Sequence, residues 1–322
     1  MKKLPLFITL DAELDNGWGK PHTITTENAK GVERFQTFCE QYSMKPIYLT
    51  TYEMALDDNF VNATKAKNSQ GLCEIGMHMH GWSTPPDYQV TEDDLKFLPF
   101  IIEYPKDNII KKVETMTKLL QDIYEEDVIS HRAGRWIMNE EYLDVLAEFG
   151  YKIDCSETPL YDWSSAKGNP NATGGRDYSK CSPKPHFYNL PHGKICELPM
   201  TTMRNILYDN FIVNAGMKLC PPFVKNTRIY NGLNSRKIVM LRPNLRNQAF
   251  LLSMIDKLST DNDIEHVEFM IHTSEVYKNT CPHCHTDEDL ENIYNLMGNM
   301  FDKLNRFCES ITFKEYAKRN NL

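Results

Sequence analysis

The chain has 322 residues, 41% of them apolar and 25% charged, an ordinary globular balance with enough length to bury a sizeable core. Its 36 basic and 44 acidic residues leave a formal net charge of −8, which argues against nucleic acid or an anionic membrane surface as the main partner. No segment approaches the ~18–20 apolar residues of a membrane span, and the short basic start of MKKLPLFITLDAELDNG meets acidic residues without a signal core or cleavage site. The expectation is a cytoplasmic protein. Nine scattered cysteines, an odd count, fit buried thiols in a reducing compartment rather than a disulfide framework.

In chain order, LFITLDAEL (6–14) reads as a strand and TENAKGVERFQTFCEQYS (26–43) as a helix, and KPIYLTT (45–51) and LCEIGMHMH (72–80) are further strands. KDNIIKKVETMTKLLQDIY (106–124) repeats its apolar residues at helical spacing. DVISHRAG (127–134), the helix NEEYLDVLAEFG (139–150) and YKIDCS (151–156) follow. The segment 157–193 is rich in Gly, Pro, Ser and Asn and reads as a long loop inserted over the mouth of the fold. KICELPMT (194–201), RKIVMLRP (236–243) and HVEFMIHT (266–273) are late strands, with helices at 244–259 and 286–308. Strand and helix taking turns imply a parallel sheet covered by helices. An incomplete or distorted (β/α) barrel fits this alternation, with an open doubly wound sheet as the alternative. The whole chain, 1–322, reads as one catalytic domain.

Polar residues interrupt the apolar strands at their C-terminal ends. Asp11 and Glu13 close the first strand, His78 and His80 the third, His131 and Arg132 the fourth, Asp154 the fifth and His272 the last. Side chains at i and i+2 of a strand share a face, so Asp11 points with Glu13 and His78 with His80. In a (β/α) barrel these ends meet at one rim. A lone strand histidine is commonly a hydrogen-bonded core residue, and a terminal acid is commonly a helix cap. The joint pattern points instead to a divalent metal site with a spare carboxylate. Two imidazoles, one carboxylate and an open position form the ligand set of a hydrolytic zinc site, in which a second carboxylate can take a proton from water and a further histidine can give one to the leaving group. His272 has the placement for that acid.

ITLDAEL, EIGMHMHGW, HRAGRW, YKIDCSETP and FMIHTSE follow the order of the motifs of the polysaccharide deacetylases, the carbohydrate esterases with a NodB homology domain, and the chain resembles that family over about residues 5 to 310. The resemblance implies a distorted (β/α)7 barrel that removes an N- or O-acyl group from a sugar or glycan intermediate with metal-bound water. It implies Asp11 as general base, Glu13 as acidic ligand, His78 as first metal histidine, Arg132 as the arginine that orients the base, and His272 as the acid, tuned by Asp154. It also implies a backbone amide near Arg135 or Trp136 against the oxyanion. Zinc is the expected metal, with cobalt or nickel as alternatives. Two features depart from the family. Its second motif spaces the histidines HxxxH, which would place Trp82 at the second ligand position, so His80 must take that role. Its acidic ligand is Asp, where this chain has the longer Glu13.

Arg242, near a strand end, and Arg135 are candidates for substrate contact, and Trp18, Trp82, Trp136 and Trp163 fall in or beside rim segments, where aromatics suit sugar stacking. CPHCH (281–285) holds soft ligands but lacks the distant second pair of structural zinc sites. Two other readings keep the fold: hydrolysis of small cyclic amides or ureides, favoured by a narrow pocket, and a non-catalytic glycan-binding relative.

Overall fold

The computed structural model describes residues 3–17, 23–86, 89–168, 171–172, 174–205, 207–225, 227, 230 and 236–322. Eleven strands are present among them: β1 (Leu4–Ala12), β2 (Pro46–Thr50), β3 (Glu74–Met79), β4 (Ser130–Ala133), β5 (Ile153–Asp154), β6 (His186–Leu190), β7 (Gly193–Glu197), β8 (Thr202–Arg204), β9 (Ile238–Met240), β10 (Val267–His272) and β11 (Cys308–Ser310). Nine form one sheet in the order β10-β1-β2-β3-β4-β5-β7-β6, with β11 also paired to β1. From β10 to β7 every neighbouring pair is parallel, and β6 returns antiparallel along β7.

The two ends of this run are joined through single contacts rather than a continuous ladder. His266 Nε2 lies 2.8 Å from the Pro199 carbonyl, Glu268 N donates to Thr201 Oγ1 at 2.8 Å, and Leu241 N donates to the Thr201 carbonyl while its own carbonyl accepts from Met270 N. The result is the distorted barrel, with a seam where Thr201 and Leu241 span the gap, and not an open sheet.

Alternation on β1 shows how residue pattern becomes layer. Leu6, Ile8 and Leu10 face out into the core shared with the helices, whereas Phe7 turns inward with Ile47, Leu49, Ile153 and Leu198. The floor of the barrel is closed by helix Phe313–Asn320, whose Phe313 ring sits 4.7 Å from that of Phe7. Each such fully buried aromatic or aliphatic side chain stabilises by roughly 1.5–3 kcal/mol. Above this apolar floor the inward positions become polar: Thr9, Asp11, Glu268, Arg132 and His78 are all buried.

The expected helices at 26–43, 106–124, 139–150, 244–259 and 286–308 are present, as Val32–Gln41 with a preceding 3₁₀ turn, Lys106–Tyr124, Glu140–Glu148, Gln248–Leu258 and Asp287–Leu304. The segment 157–193 is irregular only in its first part. Tyr178 Oη ties it to the Trp136 carbonyl at 2.7 Å, and its last part is β6. No helix among the described residues is long and apolar enough to cross a membrane.

Candidate metal centre and catalytic site

Strand register assembles the site. Asp11 is level with His272 on the neighbouring strand, and His78 with Arg132. Residues paired in this way in a parallel sheet present their side chains to the same face, here the barrel interior. Glu13 lies just beyond β1. Its amide donates to Thr273 Oγ1 at 3.2 Å, and its carbonyl accepts from Thr273 Oγ1 and from Asn28 Nδ2.

Glu13 Oε2 is 3.0 Å from His80 Nε2 and 3.7 Å from His78 Nε2, and the ligand atoms of these three buried residues all lie within 4.8 Å of one another. Ligands about 2.1 Å from a tetrahedral ion stand about 3.4 Å apart, so the spacing suits a shared cation. The tautomer of His78 suits it as well. Nδ1 donates to the Arg132 carbonyl at 3.0 Å, because a carbonyl can only accept, and this leaves the Nε2 lone pair turned to Glu13. That is the outer-shell contact expected of a ligating histidine. His80 Nδ1 has no such partner and instead abuts Gly134, where a Cβ would lie 2.5 Å from it. Burial opposes the charge on Glu13, but the neighbouring His78 and His80 imidazoles and the charge of His272 outweigh it and hold the carboxyl well below the usual range. Among the described residues, no other three His, Cys, Asp or Glu side chains converge in this way, the 281–285 cluster included.

Asp11 sits beside this group. It pairs with the fully buried Arg132, and its other oxygen is 3.8 Å from His272 Nε2. Arg132 also reaches Glu268, Thr9 and the Cys155 carbonyl, and lies 4.8 Å from the Trp136 ring. One guanidinium therefore serves two carboxylates. Burial pushes Glu268 up to about 7 despite Arg132, since Asp11 competes for the same cation.

His272 Nδ1 lies 3.2 Å from Glu275, which in turn accepts from Arg242 at 2.8 Å. Burial raises the Glu275 pKa, but the Arg242 charge and His272 overcome it and bring it to about 2. A cavity of about 130 Å³ is lined by Asp11, Glu13, His78, His80, His272 and, at its mouth, Arg135, Trp136 and Arg242. Arg135 and Trp136 both take left-handed φ values, 58° and 69°. Such backbone costs of order 1–3 kcal/mol per residue and clusters at functional sites. A wider surface depression of about 810 Å³ beside Arg34 and Tyr294 shares no residue with this cavity.

No family model matches the sequence, and no curated protein matches it. Solved structures do. A Mycobacterium smegmatis protein assigned as a polysaccharide deacetylase superposes with a TM-score of 0.57 at 12% identity, over 100% of this chain and 92% of that one. The chain has the polysaccharide deacetylase fold. The 4-alpha-glucanotransferase of Thermococcus litoralis (TM-score 0.54, 12% identity, 99% of this chain and 40% of that one) shares it, as does a GH57 branching enzyme of Thermococcus kodakaraensis (0.54, 9%, 99% and 71%). Identities this low speak for the fold alone.

On this deacetylase barrel, Asp11, Glu13, His78, His80, Arg132 and His272 converge at one end. Arg135, Trp136 and Arg242 reach the same cavity. Two readings from the sequence place residues elsewhere. Asp154 does not touch His272. It accepts from His131 Nδ1 at 2.6 Å, and His131 Nε2 meets Tyr142 Oη at 2.8 Å, making His131 a satisfied core histidine. Glu275 occupies the position expected of Asp154. Trp82 is half-buried 5.4 Å from the His80 ring and backs that imidazole instead of lining the cavity. Trp18 lies outside the described residues. Glu268 and Glu275 were not among the sequence candidates. Glu268 carried a readable signal, a charge inside the apolar strand VEFMIH on the His272 face.

Proposed function

We propose that the protein is a metal-dependent hydrolase that removes an acyl group from a sugar or glycan intermediate. The observation that carries this reading is the convergence of Glu13, His78 and His80 within 4.8 Å, flanked by Asp11 and His272 on the same cavity. A divalent cation held by these three, with zinc as the first choice, would polarise a carbonyl and acidify water. Asp11, oriented by its ion pair with Arg132, takes the proton from water. His272 Nε2, on the cavity side, gives a proton to the leaving nitrogen or oxygen, while Glu275 at Nδ1 fixes the ring. Arg135 and Arg242 bring two cations to the mouth, which suits an anionic or hydroxyl-rich substrate, and Trp136 offers a stacking face. A backbone amide of the Arg135–Trp136 turn is the proposed oxyanion donor.

The cavity is about 130 Å³, which fits an acyl group with the sugar held outside. The same volume favours a second reading, hydrolysis of a small cyclic amide. Zinc-loaded protein assayed against acetylated and formylated sugars and against small cyclic amides separates the two. Release of acetate or formate supports the first, ring opening alone supports the second, and silence on both panels removes the enzymatic reading. Asp11→Asn is expected to lower turnover by on the order of 10²–10⁴ while elemental analysis finds the metal retained. Loss of metal would contradict the division of roles between Asp11 and Glu13.

A further inference from the structure

Between β8 and β9 the chain makes an excursion that the site chemistry does not use. It contains helix Phe211–Leu219. The five most exposed large apolar side chains among the described residues all belong to it: Phe211 at 87%, Leu219 at 84%, Ile212 at 81%, Phe223 at 76% and Leu207 at 73%. The next, Leu56, is at 55%.

The helix carries apolar side chains on its outer side as well as its inner one. At about 100° per residue, Phe211, Ala215, Leu219 and Ile212 lie on one continuous arc with Lys218 at its edge. Met217, on the opposite side, is the buried one. Contiguous apolar surface of this kind marks an interaction site. Its charge setting says with what. Among the described residues of 204–237 the basic side chains are Arg204, Lys218, Lys225, Arg236 and Lys237, against the single acid Asp209, in a chain of net charge −8. Asp209 is taken up by Arg204 at 2.6 Å, and Lys218 and Lys225 pair with no acid among the described residues. The whole-chain charge is therefore segregated, and this segment has the opposite sign from the average.

An exposed apolar helix face with Lys218 at its edge and Lys225 in the segment that follows is the pattern of a helix lying in a lipid interface, where apolar burial and attraction to anionic headgroups add. We infer that residues 207–225 dock the protein onto an anionic lipid surface, with Phe211, Ile212 and Leu219 in the interface and Lys218 and Lys225 against the headgroups. The excursion is rooted at the active rim. It leaves through β8 and returns through β9 to Leu241 and Arg242, and Arg242 lines the cavity. The inference is independent of the reaction catalysed there.

Flotation of the full chain with phosphatidylcholine vesicles, with and without phosphatidylglycerol, tests it. The wild type is expected to float with the mixed vesicles, and raised salt should weaken that binding. F211D/I212D should bind roughly tenfold or more weakly, and K218E/K225E should lose the preference for phosphatidylglycerol. All four side chains are exposed, so circular dichroism and melting should match the wild type. Absence of wild-type flotation, or flotation unchanged in F211D/I212D, overturns the inference. So does a dimer in light scattering that F211D/I212D converts to monomer, because the apolar face would then belong to a second copy of the chain.

Discussion

Individual residues at this rim are constrained by their neighbours more than by their own chemistry. Gly134 shows this most directly. A Cβ there would lie 2.5 Å from both His80 Nδ1 and the Met79 carbonyl, and neither the end of a strand nor a buried imidazole backed by Trp82 can yield. The glycine of HRAGRW is thus needed for the seating of the His80 ring, two positions beyond His78. Gly134→Ala should weaken zinc affinity by about 10- to 100-fold, the range usual for disturbed outer-shell partners, with little change in far-UV dichroism. Unchanged affinity in a competition titration would mean that His80 does not need its present place. Gly17 has a similar relation to Glu13, whose carboxylate would be 2.8 Å from an added Cβ.

At the scale of elements, the strands carrying the site are joined by one guanidinium and one short turn. Arg132 on β4 reaches Asp11 on β1 and Glu268 on β10. Its loss leaves two carboxylates buried together, and breaking a buried pair costs roughly 3–5 kcal/mol. Arg132→Met should therefore lower the melting temperature sharply. Adding Glu268→Leu should restore part of it, because the second carboxylate is gone, but not turnover, because Asp11 remains without its partner. Recovery of turnover in the double variant would show that Arg132 serves stability alone. The turn Thr273–Glu275 carries the second link. The Glu275 pKa is about 2 in the fold against an ordinary 4.3 or so. A depressed carboxylate stabilises fully above its unfolded pKa and loses that contribution as pH falls toward the folded one. Glu275→Gln should consequently be less stable than wild type by roughly 1–3 kcal/mol at pH 7, with the gap closing between about pH 4.5 and 2. A gap independent of pH would rule out the ion pairs with Arg242 and His272 as its source. These links also explain what the sequence could and could not reveal. Asp11, Glu13, His78, His80 and His272 were legible because strand alternation turns spacing directly into a shared face. Glu275 was not, because it reaches His272 by a 3₁₀ turn and looks like an ordinary cap. Helix Asp58–Ser69 has few buried side chains, chiefly Phe60, Thr64 and Asn68, and helix Phe313–Asn320 only Phe313 and Ala317. The first writes no apolar stripe into the sequence, and the second only a single turn of one, Phe313, Tyr316 and Ala317. β6 is half-exposed and follows a Pro- and Ser-containing stretch, which masks its alternation.

For the molecule as a whole, the question is what holds an incompletely closed barrel to one shape at its open end. The floor has an apolar plug in Phe7, Ile47 and Phe313, whereas the rim has a ring of buried charges, with Glu13 beyond β1 and both histidines on β3 or its end, separated by β2. Without a cation, Glu13 depends on the two imidazoles for its charge balance, and His80 Nδ1 is buried without a partner. A cation shared by the three would tie β1 to β3 across β2 and relieve Glu13 of that dependence. Because it would bind the folded chain and not the unfolded one, its effect on stability is set by mass action, about 2.7 kcal/mol at a hundredfold excess over Kd, which for a chain of this size is a rise of several degrees in melting temperature. Zinc added to chelator-treated wild type should produce that rise. Glu13→Gln and His80→Ala should lose most of it, and Asp11→Asn should keep it, since Asp11 is assigned to the proton and not to the ion. Equal shifts in the wild type and in Glu13→Gln would place the bound zinc elsewhere and separate the barrel rim from metal chemistry altogether.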